Sequence, residues 1–88
     1  MLYTVVSVYD RAADAFGRPI FVSSVGQAIR SFQDEVNRNA SDNQMYGHPD
    51  DFDLYRLGSW DDSTGKFENL LDPQQVAIGK QLQVKGGV

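Results

Sequence analysis

The segment His48-Pro49-Asp50-Asp51-Phe52-Asp53 gathers one imidazole and three carboxylates, side chains that serve divalent cations and general acid–base chemistry alike. Its spacing fits neither use. A calcium loop needs oxygen ligands at alternate positions, a turn glycine and a closing glutamate, whereas Pro49 favours extended chain. The segment therefore reads as a solvated loop that leads into a strand and blunts a sheet edge with charge. A metal-dependent hydrolase using Asp50, Asp51 and Asp53 lacks a second ligand cluster, and His48 suits a surface or capping position. Gly65-Lys66 resembles the end of a phosphate-binding loop, but Trp60 and Phe67 stand where that pattern needs a glycine and a hydroxyl residue. Gly65 instead reads as a turn residue needing positive φ. Serine, His48 and aspartate lack the context of a nucleophile elbow or triad. With no cysteine, thiolate catalysis, disulfides and cysteine-based zinc sites are excluded. No catalytic residue, metal ligand or cofactor is expected.

Binding is the chemistry that remains. The basic residues Arg11, Arg18, Arg30, Arg38, Arg56 and Lys66 are scattered, and all but one are arginines, whose planar fork matches phosphate and carboxylate. Arg56 stands out because it lies mid-strand between Tyr55 and Leu57, and pairing with Asp10 or Asp53 is expected if it is buried. Net charge is −4, and residues 41–75 hold eight of the twelve acidic groups against two of the eight basic ones. So acidic a middle third repels phosphate backbones and excludes a histone-like coating protein, leaving only local nucleic-acid contact.

The elements that must position these groups are legible in outline. Eighty-eight residues make one domain, and ten aromatics (five Phe, four Tyr, one Trp) are too many for a disordered chain. Residues 2–9 (LYTVVSVY) read as a strand, and Arg18 to Val22 resumes extended chain after a break, which together make a long-looped hairpin. Ser23 and Ser24 offer N-caps to an amphipathic helix whose stripe is Val25, Ala28, Ile29, Phe32 and Val36. Asn37 to Asn43 stop it. Residues 50–60 form a third strand, Asp61 to Gly65 a hairpin turn and Lys66 to Leu70 a fourth strand, with a short helical turn after Asp72-Pro73. The expected fold is a small α+β domain over residues 1–80, an antiparallel sheet in ββαββ order covered on one face by one helix. Residues 81–88 are expected to form a flexible tail.

Both sheet faces look apolar. In the first strand Leu2, Val6 and Val8 point one way and Tyr3, Val5 and Tyr9 the other; in the third, Phe52, Leu54 and Trp60 oppose Tyr55 and Leu57. The second face must then be covered by the C-terminal segment, by a second copy in a homodimer, or by stacked bases. If it meets DNA, Tyr3, Tyr9, Tyr55 and Trp60 stack bases while Arg11, Arg18, Arg56 and Lys66 meet phosphates. Tyr55 and Trp60 share a face only across a bulge or at the strand's end.

The segments Val8-Tyr9-Asp10-Arg11, Pro19-Ile20-Phe21-Val22, AIRSFQDEVN (residues 28–37), HPDDFDLYRLG (48–58) and Asp61 to Phe67 together resemble the small nonstructural protein of the gokushoviruses and related Microviridae, bacteriophages with single-stranded circular DNA. The resemblance covers residues 3–80. It implies a non-enzymatic protein of the infected bacterium's cytoplasm, absent from the virion, that serves genome replication or packaging. The partners it suggests are single-stranded DNA, the phage replication initiator or a host replication protein. A host-directed adaptor that presents the acidic stretch 50–62 is the alternative. No membrane association is expected, because no apolar run approaches the ~18 residues of a membrane span and the N-terminus has no basic leader.

Overall fold

In the computed structural model, which describes residues 1–84, one antiparallel sheet runs the length of a molecule 48 Å long and 24 by 20 Å across. Its central strands are β1 (Leu2–Asp10) and β4 (Phe52–Asp61). Two short strands, β2 (Ala15–Phe16) and β3 (Ile20–Val22), pair one after the other along the outer edge of β1. The 13-residue β5 (Lys66–Ile78) closes the other edge against β4.

The α+β class holds, with five strands and three helices among the described residues where four strands and one helix in ββαββ order were expected. The extra strand arises because Asp14 adopts a left-handed conformation (φ 53°), which aspartate tolerates better than most residues, and folds the chain back at once as β2. The chain then sidesteps: the Gly17 N–H donates to the Val8 carbonyl at 2.8 Å and the Ser7 hydroxyl donates to the Gly17 carbonyl at 2.7 Å. Pro19 precedes β3, where its missing N–H removes nothing from the ladder.

The long helix, α1 (Val25–Val36), follows its stripe. Ser24 caps it by accepting the Gln27 N–H at 3.1 Å. Ala28, Phe32 and Val36 are buried against Val6 and Leu54, and Val8, Val22, Ile29, Met45 and Leu82 pack around them. Removing a side chain the size of Phe32 from water contributes roughly 1.5–3 kcal/mol. At the helix end, the buried Asn43 amide donates to the Glu35 and Arg38 carbonyls, each at 2.8 Å, while its oxygen accepts the Met45 N–H and caps the one-turn α2 (Gln44–Gly47).

Two further departures have local causes. Pro49 opens a 3-10 turn (Pro49–Asp51) rather than extended chain. Beyond Pro73 the chain continues as strand to Ile78 instead of turning helical, because Val76 and Ala77 pack against the core and Gln74 to Ile78 pair with Asp53 to Arg56, burial that outweighs local propensity. The helical turn comes later, as α3 (Gly79–Leu82). Gly79 is required there by close packing, since a Cβ would lie 2.7 Å from the Pro49 carbonyl. The segment expected to be a tail is tied down as far as Val84, whose N–H donates to the Asn37 side chain at 2.7 Å while the Asn37 amide donates to the Leu82 carbonyl at 3.0 Å. The rest of that expected tail, 85–88, lies outside the described residues.

The three helices of the described residues gather at one end of the sheet. Twelve residues of α1 span about 18 Å, well under half of the molecule's length, so the far half of the β4–β5 hairpin extends beyond them.

Candidate nucleic-acid interface

The face of the sheet opposite α1 is built from alternate residues of β1. Tyr3, Val5, Ser7 and Tyr9 point to it, and the cross-strand partners on it include Trp60, Phe21, Tyr55 and Phe16. A bulge brings Tyr55 and Trp60 together here. Val6 pairs with Arg56 and Val5 with Gly58, so Leu57 has no partner in β1 and the inward–outward alternation of β4 reverses at that point. Trp60 therefore joins Tyr55 instead of Phe52 and Leu54, and the regular alternation expected for this strand does not hold.

Gly58 makes the bulge possible. A Cβ at this position would lie 2.9 Å from the Asn69 Cα and closer still to the Glu68 carbonyl oxygen, so only glycine lets β5 approach.

The rings form two clusters. At the end near the loops, Tyr9, Phe16 and Tyr55 meet with centroids 4.9 to 6.2 Å apart, two of the three pairs edge to face. At the other end Tyr3, Phe21, Trp60 and Phe67 meet at 5.4 to 6.3 Å. Phe16, Phe21 and Phe67 are 43%, 46% and 57% exposed, a large apolar display for a chain of this size. The sequence reading nominated Tyr3, Tyr9, Tyr55 and Trp60, and all four are here. It missed the three phenylalanines. Phe67 was within reach, because a hairpin closed over Asp61 to Lys66 sets it directly across from Trp60.

The basic residues are less well placed. The Arg11 guanidinium donates to Asp53 and to the Asp50 carbonyl, and this pairing raises its already high pKa further. Asp53 is 1% exposed; its Oδ2 also accepts the Gln75 amide at 3.1 Å, and its Oδ1 has no partner. Arg11, not Arg56, is thus the partner of Asp53. Arg56 lies on the α1 side, level with Val6, and makes no ion pair among the described residues. Lys66 also belongs to that side, opposite Asp61. Arg18, the remaining nominated cation, is exposed in the link between β2 and β3.

Two of the three tyrosine hydroxyls on this face are engaged. Tyr9 donates to the Asp14 carboxylate, which raises the phenol pKa, and the Gln75 amide donates to the Tyr55 hydroxyl at 3.4 Å. What the face offers is chiefly flat apolar ring surface with few free hydrogen-bonding groups. Among the described residues no three His, Cys, Asp or Glu side chains converge on a metal-sized space, and no helix is long and apolar enough to cross a membrane.

No solved structure matches the chain. A curated relative, Protein ORF5 of Chlamydia phage 1, a gokushovirus, is 38% identical over 63 residues, which cover 69% of this chain and 66% of the relative. The chain thus spans slightly less than two thirds of that relative's length. The family model described as Phage ORF5 protein matches residues 3–82, which takes in all of the sheet but Leu2, together with α1 and the bulge. The chain belongs to the Phage ORF5 protein family of small phage proteins.

Proposed function

We propose that the protein is a non-enzymatic accessory factor that binds single-stranded DNA on its aromatic sheet face during replication or packaging of a single-stranded DNA phage genome. It would act in the cytoplasm of the infected bacterium and outside the virion. The observation that carries the reading is the gathering of seven rings on the sheet face that α1 leaves open, with a bulge at Leu57 that serves to keep Trp60 among them. Every base has a π-face, so such a surface takes unpaired bases with little regard to sequence.

The acidic-adaptor reading has less support. Of the acidic stretch, Asp53 is buried on Arg11, Asp61 accepts from the Ser63 hydroxyl at 2.6 Å and Asp62 holds the terminal ammonium at 2.5 Å. Asp53 and Asp62 are thus spent on the fold rather than offered to a basic partner, while Asp50 and Asp51 make no ion pair among the described residues.

Fluorescence anisotropy of labelled single-stranded and duplex DNA of one sequence tests the proposal, with the mass in solution recorded alongside. Single-strand binding that exceeds duplex binding and is lost in Trp60→Ala supports it. No binding at low salt overturns it and turns the search to protein partners, beginning with the phage replication initiator.

A further inference from the structure

The sheet face under α1 holds unfilled space. Between Phe32 of α1 and the strand residues Val8, Ile20 and Leu54 lies an apolar hollow of about 200 Å³, with Met45 of α2 also on its wall. Its polar lining is Ser31 and Glu35, the latter already paired with Arg38. An apolar cavity of ~150 Å³ takes up a benzene ring, so this one has room for a leucine or phenylalanine side chain. Met45 is unbranched and soft, and can settle around whichever enters.

A second hollow, of about 320 Å³, adjoins it and has the opposite character: Asp10, Gln44, His48 and Asp51 line it with Ala12 and Phe52. Three elements serve both. β1 gives Val8 to the first and Asp10 to the second, β4 gives Leu54 and Phe52, and α2 gives Met45 and Gln44. Val8 pairs with Leu54 and Asp10 with Phe52 across the ladder, so the step between hollows is two residues of strand, about 7 Å at ~3.4 Å per residue. Alternate side chains of any extended segment are the same distance apart.

Charge tells what the second hollow takes. The Asp10 carboxylate is held in place by the Ala12 and Ala13 N–H groups, which its Oδ1 accepts at 3.0 and 3.4 Å, and neither Asp10 nor Asp51 makes an ion pair among the described residues. Arg11 feels the charge of Asp51, but its guanidinium is committed to Asp53 and the Asp50 carbonyl. Two carboxylates beside one imidazole suit a lysine or arginine. A second copy of this chain cannot fill both hollows. Among the described residues Arg18 is the one cation two positions from a large, exposed apolar side chain, Phe16 or Ile20. Phe16 packs on Tyr9 and Tyr55, and Ile20 itself lines the apolar hollow.

We propose that the two hollows together receive an extended, basic segment of another protein, with an aliphatic or aromatic side chain under α1 and a lysine or arginine two residues away on Asp10 and Asp51. Such a segment lies on the α1 side and leaves the aromatic face free, so the proposal stands or falls independently of the single-strand reading. Unlike an acidic adaptor, it asks for one apolar anchor and one cation at fixed spacing rather than for a charged surface.

Amide chemical shifts of the isotope-labelled protein, titrated with blocked peptides that contain Leu-Ser-Lys or Lys-Ser-Leu, provide the test. The amides of Val8, Asp10, Met45 and Leu54 should shift and those of Tyr3 and Trp60 should not. Alanine in place of the peptide's leucine should weaken binding about tenfold or more. Glutamine in place of its lysine, or leucine and lysine made adjacent, should weaken it about threefold. Asp10→Asn, which keeps the oxygen that Ala12 and Ala13 use, and Asp51→Asn should each reduce the preference for lysine over glutamine. Ser31→Leu, at an exposed position of α1, should fill the apolar hollow and abolish binding while the melting temperature shows the fold intact.

No shift at ~10 mM peptide, shifts confined to the aromatic face, or equal affinity for the lysine and glutamine peptides overturns the proposal. An alkylamine that binds there when no peptide does makes the occupant a small amphiphile, and a dimer that Ser31→Leu dissociates gives the site to a second copy. Either result overturns it as well.

Discussion

Replacing Arg11 by alanine isolates the ion pair that anchors the loop beneath the Tyr9 cluster. Asp53 is 1% exposed, and without Arg11 its buried carboxylate keeps the Gln75 amide as its one hydrogen-bond donor. Breaking a buried pair from one side typically costs ~3–5 kcal/mol, because the surviving charge is left uncompensated. Here the Arg11 side chain is 46% exposed, so water can follow it out and the expected loss is smaller, about 1–3 kcal/mol. For a domain of this size each kcal/mol moves the thermal midpoint by ~4–8 °C, so a loss near 2 kcal/mol lowers it by about 8–16 °C.

Thermal and urea unfolding of Arg11→Ala, Asp53→Asn and the double variant measures the effect as a cycle. With Asp53→Asn in place no buried charge remains, and removing Arg11 should then cost less than about 0.5–1 kcal/mol, a coupling of at least ~1 kcal/mol. If Arg11→Ala unfolds within about 0.5 kcal/mol of the parent, or if the two substitutions are additive, the pair does not anchor the loop and the reasoning fails.

Three further outcomes follow from the structure. Phe32→Ala, at the centre of the α1–sheet contact, should destabilise by ~3–5 kcal/mol, a large share of the ~5–15 kcal/mol typical of a domain, read as a lowered midpoint in denaturant melts. Gly58→Ala should cost ~1–3 kcal/mol by forcing β5 away from β4, and amide exchange should speed selectively along Glu68 and Asn69; unchanged exchange there would sink the packing argument. Stability should also fall toward both pH extremes. Hydrogen bonds from Ser63 depress the Asp61 pKa and those from Arg38 depress that of Glu35, so their contributions are present above the ordinary carboxylate range and vanish as pH drops through the lowered values. The Met1 ammonium is raised above 8.0 by its hydrogen bond to Asp62, so its contribution is present below that value and is lost as pH climbs through the raised one. A melting temperature flat from pH 3 to pH 10 would contradict all three assignments.

What the sequence disclosed follows from how local each signal is. β1, α1 and the Asp61–Gly65 turn are written in short-range patterns, a β-branched run, a stripe with its serine cap and a turn glycine with φ 73°, and all three stand where those patterns put them. Non-local matters escaped. Nothing near Asp72-Pro73 announces that Val76 and Ala77 will be drawn into the core, and local chemistry there favours a helical turn. The tyrosines and tryptophan of the aromatic face were found by residue type, but their meeting on one face depends on an unpaired Leu57, which regular alternation conceals. Assignment of the arginines failed for a related reason. Whether Arg11 or Arg56 reaches Asp53 is decided by which loop folds back over which strand, and no spacing in the sequence records it.

The far edge of the sheet also bears on the protein's behaviour when it is concentrated. On β5, Asn69 pairs with Gly58 and Gln74 with Arg56, so the four residues 70–73 lie opposite Leu57 alone. They leave the ladder as a knuckle that carries Leu71, 97% exposed, and Pro73, which has no N–H to give. A smooth 13-residue edge would be an open template on which another chain could add strand upon strand. Broken at its middle, it presents two short stubs that no neighbouring strand can follow end to end, so the molecule can keep an uncovered sheet face without seeding fibres.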